Sequence, residues 1–143
     1  MLPQKPLHPG LFTWPDSAPE LLGSRCVDCG EHAFPSQSSC RACSSEHTEI
    51  VGLGNKGTLW TWTIQSFMPK APYHTDETPE SFCPYGVGYI ELACGIKVES
   101  RLHENSTDTL RIDLPMKLEI VPVRDDGEGN QLMTFQFRSA EAL

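Results

Sequence analysis

The sequence has no long apolar run and no cluster of basic residues, and each absence excludes a class of protein. No stretch approaches the roughly 20 apolar residues that a helix needs to span a bilayer. The first residues, MLPQKPLHPGLFTWPD, lack a charged segment followed by an apolar one, so we predict no secretory signal and a cytoplasmic protein. Lys and Arg occur only singly and the formal net charge is −8, which argues against a nucleic-acid-binding surface.

Four of the six cysteines form two C-x-x-C pairs within CVDCGEHAFPSQSSCRAC. In a reducing compartment such pairs are metal ligands rather than disulfides. Zinc prefers four tetrahedral ligands and binds thiolates well, so we predict that one zinc is held by Cys26, Cys29, Cys40 and Cys43. Four protein ligands leave no open position for water or substrate, and we therefore interpret the metal as structural. Iron in a rubredoxin-like site is the alternative.

The first 24 residues predict an extended arm that ends in a short helix. Four prolines among the first 16 residues exclude one continuous helix. We expect Phe12 and Trp14 of this arm to anchor it on a partner. In SAPELLGS (17–24), Ser17 is a suitable helix start and Gly23 a suitable end.

After residue 57 the apolar residues alternate with the period of β-strands. Five strands are predicted at TLWTWTIQSF (58–67), VGYIEL (87–92), IKVESRL (96–102), KLEIVPV (117–123) and QLMTFQF (131–137). In the first strand Trp60, Trp62 and Ile64 share a face that we expect to be the core. Pro122 indicates an edge or a bulge, and DDGEGN (125–130) predicts a hairpin loop.

Five short strands without a long helix among them predict a small closed barrel of the OB-fold type. The fold class is therefore mainly β, in three parts: an arm and short helix at 1–24, a four-cysteine ribbon at 25–49 and the barrel at 50–143. Between the first two barrel strands lies the loop FMPKAPYHTDETPESFCPYG (67–86). Loops beyond about 12–15 residues without structure of their own are usually functional or disordered.

No complete catalytic set is present in the sequence. A nucleophilic cysteine needs a base beside it, and the candidates Cys83 and Cys94 have only His74 at a plausible spacing. Free cysteines are more often small buried apolar residues, so we predict no catalytic residue. In the long loop, Lys70, Tyr73 and Tyr85 are best suited to contact a phosphate, a pantetheine amide or an adenine, with surface packing as the alternative.

The order of the motifs resembles that of a known family. R-C-x-D-C-G (25–30) is followed by Phe34-Pro35, by the second C-x-x-C, by G-x-x-G-T-L-W-T-W-T (54–63), by Pro84-Tyr85 and by G-Y-I-E-L (88–92). This order is similar to that of the acyl-CoA-associated family, in which a rubredoxin-like zinc ribbon is joined to an OB-fold and which was long catalogued as a domain of unknown function.

The resemblance implies a non-catalytic accessory subunit of a thiolase-fold acyl-CoA enzyme. That enzyme would be a thiolase or a retro-aldolase in the breakdown of a steroid side chain or an aromatic acyl-CoA. Members of the family stabilise the partner and help to form its coenzyme A channel, and the catalytic residues lie on the partner. The resemblance also implies one structural zinc, a coenzyme A thioester bound in the complex and a heterotetramer.

The sequence departs from the family pattern in one loop, and it is also compatible with two rival functions. The loop from Phe67 to Tyr85 is longer and more acidic than expected for the family, and we interpret it as an insertion at the partner's substrate entrance. The first rival is a free-standing acyl-CoA-binding module. The second is a nucleic-acid-binding ribbon and OB protein, in which Trp60 and Trp62 would stack on bases, although the net charge of −8 opposes it.

Overall fold

The computed structural model describes residues 2–71 and 77–141, and its regular structure is entirely β. In chain order the strands are β1 (Gln4–Pro6), β2 (Leu22–Cys26), β3 (His32–Ala33), β4 (Thr48–Gly52), β5 (Lys56–Gln65), β6 (Tyr85–Leu92), β7 (Lys97–Leu102), β8 (Pro115–Asp125) and β9 (Gln131–Ser139). A search of these two ranges finds no helix that could cross a membrane.

Strands β5 to β9 form the predicted five-stranded barrel. Strand β5 pairs antiparallel with β6, β6 with β7, β8 with β9, and β8 returns to β5. The sheet closes where β7 meets β9 in parallel at Leu102 and Phe137. The resulting order, β5-β6-β7-β9-β8, confirms the OB-fold barrel. Its interior includes the fully buried side chains of Leu59, Ile90 and Phe137.

A β-bulge in β5 corrects the predicted orientation of one tryptophan. Leu59 lies opposite Ile90 but Thr61 lies opposite Tyr89, so Trp60 is an extra residue in β5. The bulge leaves Trp60 50% exposed, and Leu59 takes the core position instead. Alternation predicts Trp60 incorrectly because one inserted residue breaks the two-residue period. Beyond the bulge, Trp62 and Ile64 pack against the core as predicted.

The other predicted barrel features are confirmed. Val98 and Leu102 of β7 are buried, as is Phe137 of β9. The pairing of β8 with β9 shifts register after Pro122, which confirms a bulge there. The β8–β9 connection is a tight loop in which the backbone N–H of Asp126 donates to the carbonyl oxygen of Asn130 at 3.0 Å.

The predicted helix at residues 17–24 is wrong, because that segment leads into strand β2. Strand β2 pairs along its length with β4, from Leu22 opposite Gly52 to Cys26 opposite Thr48. An isolated helix this short is marginal in water. Pairing with a strand later in the chain satisfies the same backbone groups more fully.

The N-terminal arm is also held by backbone pairing. Strand β1 lies parallel to β9, with Gln4 opposite Gln131. The backbone N–H of Leu7 donates to the carbonyl of Met133 at 2.8 Å. The ammonium of Lys5 lies 3.3 Å from the carboxylate of Asp126.

The ribbon and the barrel share one hydrophobic core. Strand β2 joins β3 and β4 in a separate three-stranded sheet. Phe12, Leu21 and Leu53, which flank that sheet, nevertheless belong to the same buried cluster as the barrel interior. The predicted part boundaries, 24/25 and 49/50, fall inside β2 and β4.

Candidate metal centre and long loop

Two tight turns bring the four predicted cysteine ligands together. In the first turn, which follows β2, the backbone N–H of Gly30 donates to the carbonyl of Cys26 at 2.9 Å. In the second, the N–H of Ser44 donates to the carbonyl of Cys40 at 2.9 Å. Gly30 has φ +82° and Ser44 has φ +65°, so each turn closes with a residue in the left-handed region.

The sulfur positions fit a tetrahedral metal ion. Cys26 Sγ lies 3.6 Å from Cys43 Sγ, and Cys29 Sγ lies 3.5 Å from Cys40 Sγ. All four sulfurs lie within 4.8 Å of one another. A zinc ion with Zn–S bonds of about 2.3 Å separates its ligand sulfurs by about 3.8 Å. This donor set therefore suits one zinc that is coordinated by protein ligands alone.

Backbone N–H groups favour the thiolate form of Cys26 and Cys40, whereas neighbouring sulfurs raise the pKa of Cys29 to about 12 and also raise the pKa of Cys43. The N–H of Cys29 lowers the pKa of Cys26 to about 6. The N–H groups of Cys43 and Ala42 lower the pKa of Cys40, and the Ala42 nitrogen lies 3.3 Å from Cys40 Sγ. Because the thiolate is the species that binds metal, these N–H groups prepare the site for a cation.

A carboxylate links the two turns and was not predicted from the sequence. Asp28, in the first turn, accepts a hydrogen bond from Ser45 Oγ at 2.5 Å and lies 3.1 Å from His47 Nδ1. The bond from Ser45 and the neighbouring His47 lower the pKa of Asp28. No sequence pattern links residues 28, 45 and 47, because only the fold brings the two turns together.

The two arginines beside the ligands form ion pairs with nearby carboxylates. Arg41 Nε lies 3.0 Å from Glu31 Oε2, and Arg25 lies 3.5 Å from Glu49. All four side chains are substantially exposed to solvent, so each pair contributes little to stability.

The three predicted coenzyme A contacts are only partly within the described residues. Lys70 is exposed, whereas Tyr73 lies outside the described residues. Tyr85 begins β6, and the guanidinium of Arg101 lies 4.0 Å from its ring centroid. Its ring also packs edge-on against Phe82 at 6.0 Å. A cleft of about 230 Å³ next to this stack is lined by Cys83, Tyr85, Arg101, His103, Asn105 and Gln136.

Neither candidate cysteine nucleophile has a histidine partner among residues 2–71 and 77–141. Cys83 is exposed, and its backbone N–H donates to the Glu77 carboxylate at 3.2 Å. Cys94 is exposed in the β6–β7 turn, beside a cleft of about 460 Å³ between ribbon and barrel. His74 lies outside the described residues.

Of the two predicted partner anchors, Phe12 is used inside the chain. It forms a bridge with Leu21 and is only 4% exposed. Its ring packs edge-on against Trp14 at 6.2 Å. The arm folds back on the barrel, so Phe12 has no surface to offer a partner in this structure. Trp14 is half-buried and stays a predicted contact.

Two family models match the chain over successive segments. Residues 14–49 match the ChsH2 rubredoxin-like zinc ribbon domain, and residues 51–121 match the ChsH2 C-terminal OB-fold domain. The first segment contains all four cysteines, and the second covers most of the barrel.

Relatives with curated names match over most of this chain. The benzoylsuccinyl-CoA thiolase subunit BbsA of Thauera aromatica is 33% identical over 133 residues, which cover 92% of this chain and 85% of that protein. A DUF35 domain-containing scaffold protein of Methanocaldococcus jannaschii is 26% identical over 109 residues, covering 76% of this chain and 72% of that protein.

A solved structure has the same fold. One chain of the structure named Ltp2-ChsH2(DUF35) aldolase aligns with a TM-score of 0.63 over 85% of each chain. The two sequences are 23% identical, so this likeness supports the fold alone.

Proposed function

The chain belongs to the ChsH2 family, in which a rubredoxin-like zinc ribbon is joined to an OB-fold, and from that premise we propose that it is a non-catalytic accessory subunit of a thiolase-fold acyl-CoA enzyme. The observation that carries the proposal is the 33% identity, over 92% of this chain, to a protein named a benzoylsuccinyl-CoA thiolase subunit. The complex would carry out thiolysis or retro-aldol cleavage in the breakdown of an aromatic acyl-CoA or a steroid side chain.

The metal would have a structural role in this subunit. Zinc would be held by Cys26, Cys29, Cys40 and Cys43, whose sulfurs are grouped within 4.8 Å. Four protein thiolates complete a tetrahedral shell, which is the arrangement of structural rather than catalytic zinc. The ion would cross-link two turns that have few apolar side chains of their own.

The long loop and the adjoining barrel face would line the partner's acyl-CoA channel. The support is the stack of Arg101 on Tyr85 beside the 230 Å³ cleft, because a guanidinium is well suited to phosphate. Lys70, in the long loop, would add a second cation to that of Arg101 in β7, and Tyr73 keeps its predicted role as a contact. The partner would supply the catalytic groups, and this surface would exclude water and orient the thioester.

The proposal is tested by affinity purification of the tagged chain from its native cells. We expect a thiolase-fold protein to co-purify in about equal amounts, consistent with two copies of each chain. Metal analysis should give about one zinc per chain. Recovery of a folded monomer without a thiolase-fold protein would contradict the proposal. Titration of that monomer with coenzyme A and with oligonucleotides would then separate the two rival functions.

A further inference from the structure

An exposed apolar patch lies on the outer surface of the barrel. The bulge in β5 turns Trp60 outward, where it is 50% exposed and packs edge-on against Tyr89, which is 41% exposed. The backbone N–H of Asp113 donates to the carbonyl of Leu59 at 2.8 Å. This bond brings Ile112, which is 55% exposed, alongside the bulge. We call Trp60, Tyr89 and Ile112 the aromatic patch.

The position of Trp60 is a consequence of the backbone and not of loose packing. A bulge re-aims a side chain and disturbs the ladder of hydrogen bonds. Here it takes a large aromatic side chain out of the barrel interior, where Trp62 of the same strand still packs. Exposed aromatic side chains grouped in one place are typical of interaction surfaces.

Cations and carboxylates both border the aromatic patch, but Lys97 is paired with Glu91 and Arg111 with Glu141. Glu99 lies directly opposite Tyr89 on the neighbouring strand, and Asp113 follows Ile112. Both carboxylates are on exposed residues, and neither forms an ion pair within the described part of the chain. A partner surface that covered the patch would need positive charge to avoid burying these carboxylates unpaired.

Lys97 of this chain already places a cation on the Trp60 ring. Its ammonium lies 4.8 Å from the centroid of the Trp60 ring and 3.7 Å from Glu91 Oε2. An aromatic face and a carboxylate together therefore hold a cation from this chain. Tyr89 and Glu99 offer the same pair of groups one step further along β6 and β7, and Glu99 has no ion pair with any residue of 2–71 or 77–141.

We propose that the aromatic patch docks the thiolase-fold partner through a basic, arginine-bearing surface of that partner. This inference rests on the proposed function for the class of partner, and it adds the contact surface and the chemistry. A guanidinium can stack on an aromatic ring while it donates two N–H groups to a carboxylate. Tyr, Trp and Arg are also the residues most enriched in binding hot spots. The net charge of −8 favours the approach of a basic surface.

The test uses the complex of this chain with the thiolase-fold protein that co-purifies with it. The purified partner is titrated with wild-type chain and with variants. We expect Trp60→Ala to weaken binding by about 30-fold or more, the range of a hot-spot residue. We expect Glu99→Arg to weaken it by about tenfold or more and to reduce its salt sensitivity. Trp60→Phe keeps an aromatic ring and should retain most of the affinity.

Controls separate docking from folding and from overall charge. Glu128→Arg reverses another exposed carboxylate, in the β8–β9 loop, and it should stay within about twofold of wild type because it lies outside the patch. All variants should unfold at nearly the wild-type temperature, because Trp60 and Glu99 lie outside the core.

Three results would overturn the inference. Wild-type affinity of both Trp60→Ala and Glu99→Arg for the partner would refute the docking site and leave the proposed function intact. A wild-type chain that binds no thiolase-fold protein would refute the proposed function, and the docking site with it. If sedimentation shows that the chain alone self-associates through Trp60, the patch joins two copies of this chain instead.

Discussion

The replacement of Leu21 by alanine tests whether the ribbon and the barrel unfold as one unit. Leu21 is fully buried where the arm, the ribbon and the barrel meet. Its N–H donates to the carbonyl of Gly54 at 3.1 Å, and its carbonyl accepts from the N–H of Leu53 at 2.8 Å. The backbone bonds survive in Leu21→Ala, so the variant isolates the loss of side-chain packing.

The expected loss is about 3 kcal/mol, within the range of about 2.7–5 kcal/mol for buried leucines replaced by alanine. For a chain of 143 residues this corresponds to a fall in Tm of about 10 °C. Unfolding is followed by tryptophan fluorescence in a Trp14→Phe background, in which Trp60 and Trp62 report the barrel, and by metal release to a chromogenic chelator, which reports the ribbon. Because the core is shared, both signals should shift together.

A matched control is Leu2→Ala, since Leu2 is 44% exposed and should change stability by about 0.5 kcal/mol or less. The reasoning is refuted if Leu21→Ala advances metal release while the fluorescence transition keeps its wild-type midpoint. Two separated transitions in the wild-type chain would refute it equally.

Three further predictions concern the metal, the arm and the cleft. Cys40→Ser should lower the bound metal to well below one ion per chain and expose the remaining thiols to a thiol reagent. In the wild-type chain, an orange chromophore would identify the metal as iron. Hydrogen bonds from Asn130 and from the N–H of Glu128 hold the pKa of Asp126 well below its ordinary value of 3.8. The ionised Asp126 therefore stabilises the folded chain above about pH 4, and this contribution is lost as the pH falls toward the folded-state pKa. Asp126 also pairs with Lys5 of the arm, so Asp126→Ala should speed amide exchange at Leu7, whose N–H holds the arm on β9. The free energy of unfolding should also depend less on pH below about pH 4. An unchanged pH dependence would contradict this prediction. Arg101→Ala should raise the KM of the complex for its acyl-CoA about five- to tenfold with little change in kcat, and an unchanged KM would remove Arg101 from the channel.

The four cysteines of the metal site could be predicted because the geometry of each C-x-x-C turn is local. Each C-x-x-C turn is closed by its own backbone bond, such as that from Gly30 to Cys26. The barrel strands could be predicted for the same reason, since alternation within β7 already separates a buried face from an exposed one. Pro122 predicted the bulge in β8, and the segment DDGEGN (125–130) predicted the loop between β8 and β9.

What the sequence could not reveal depends on partners far away in the chain. Residues 22–24 form a strand because β4 lies beside them, and Phe12 is buried because the arm folds back to meet Leu21. Trp60 faces outward because an extra residue in β5 shifts its register against β6. The Asp28 contacts with Ser45 and His47 likewise exist only once the two turns meet. Short-range backbone geometry and periodicity are written in neighbouring residues, whereas register, burial and surface patches follow from long-range pairing, which a single stretch of sequence does not specify.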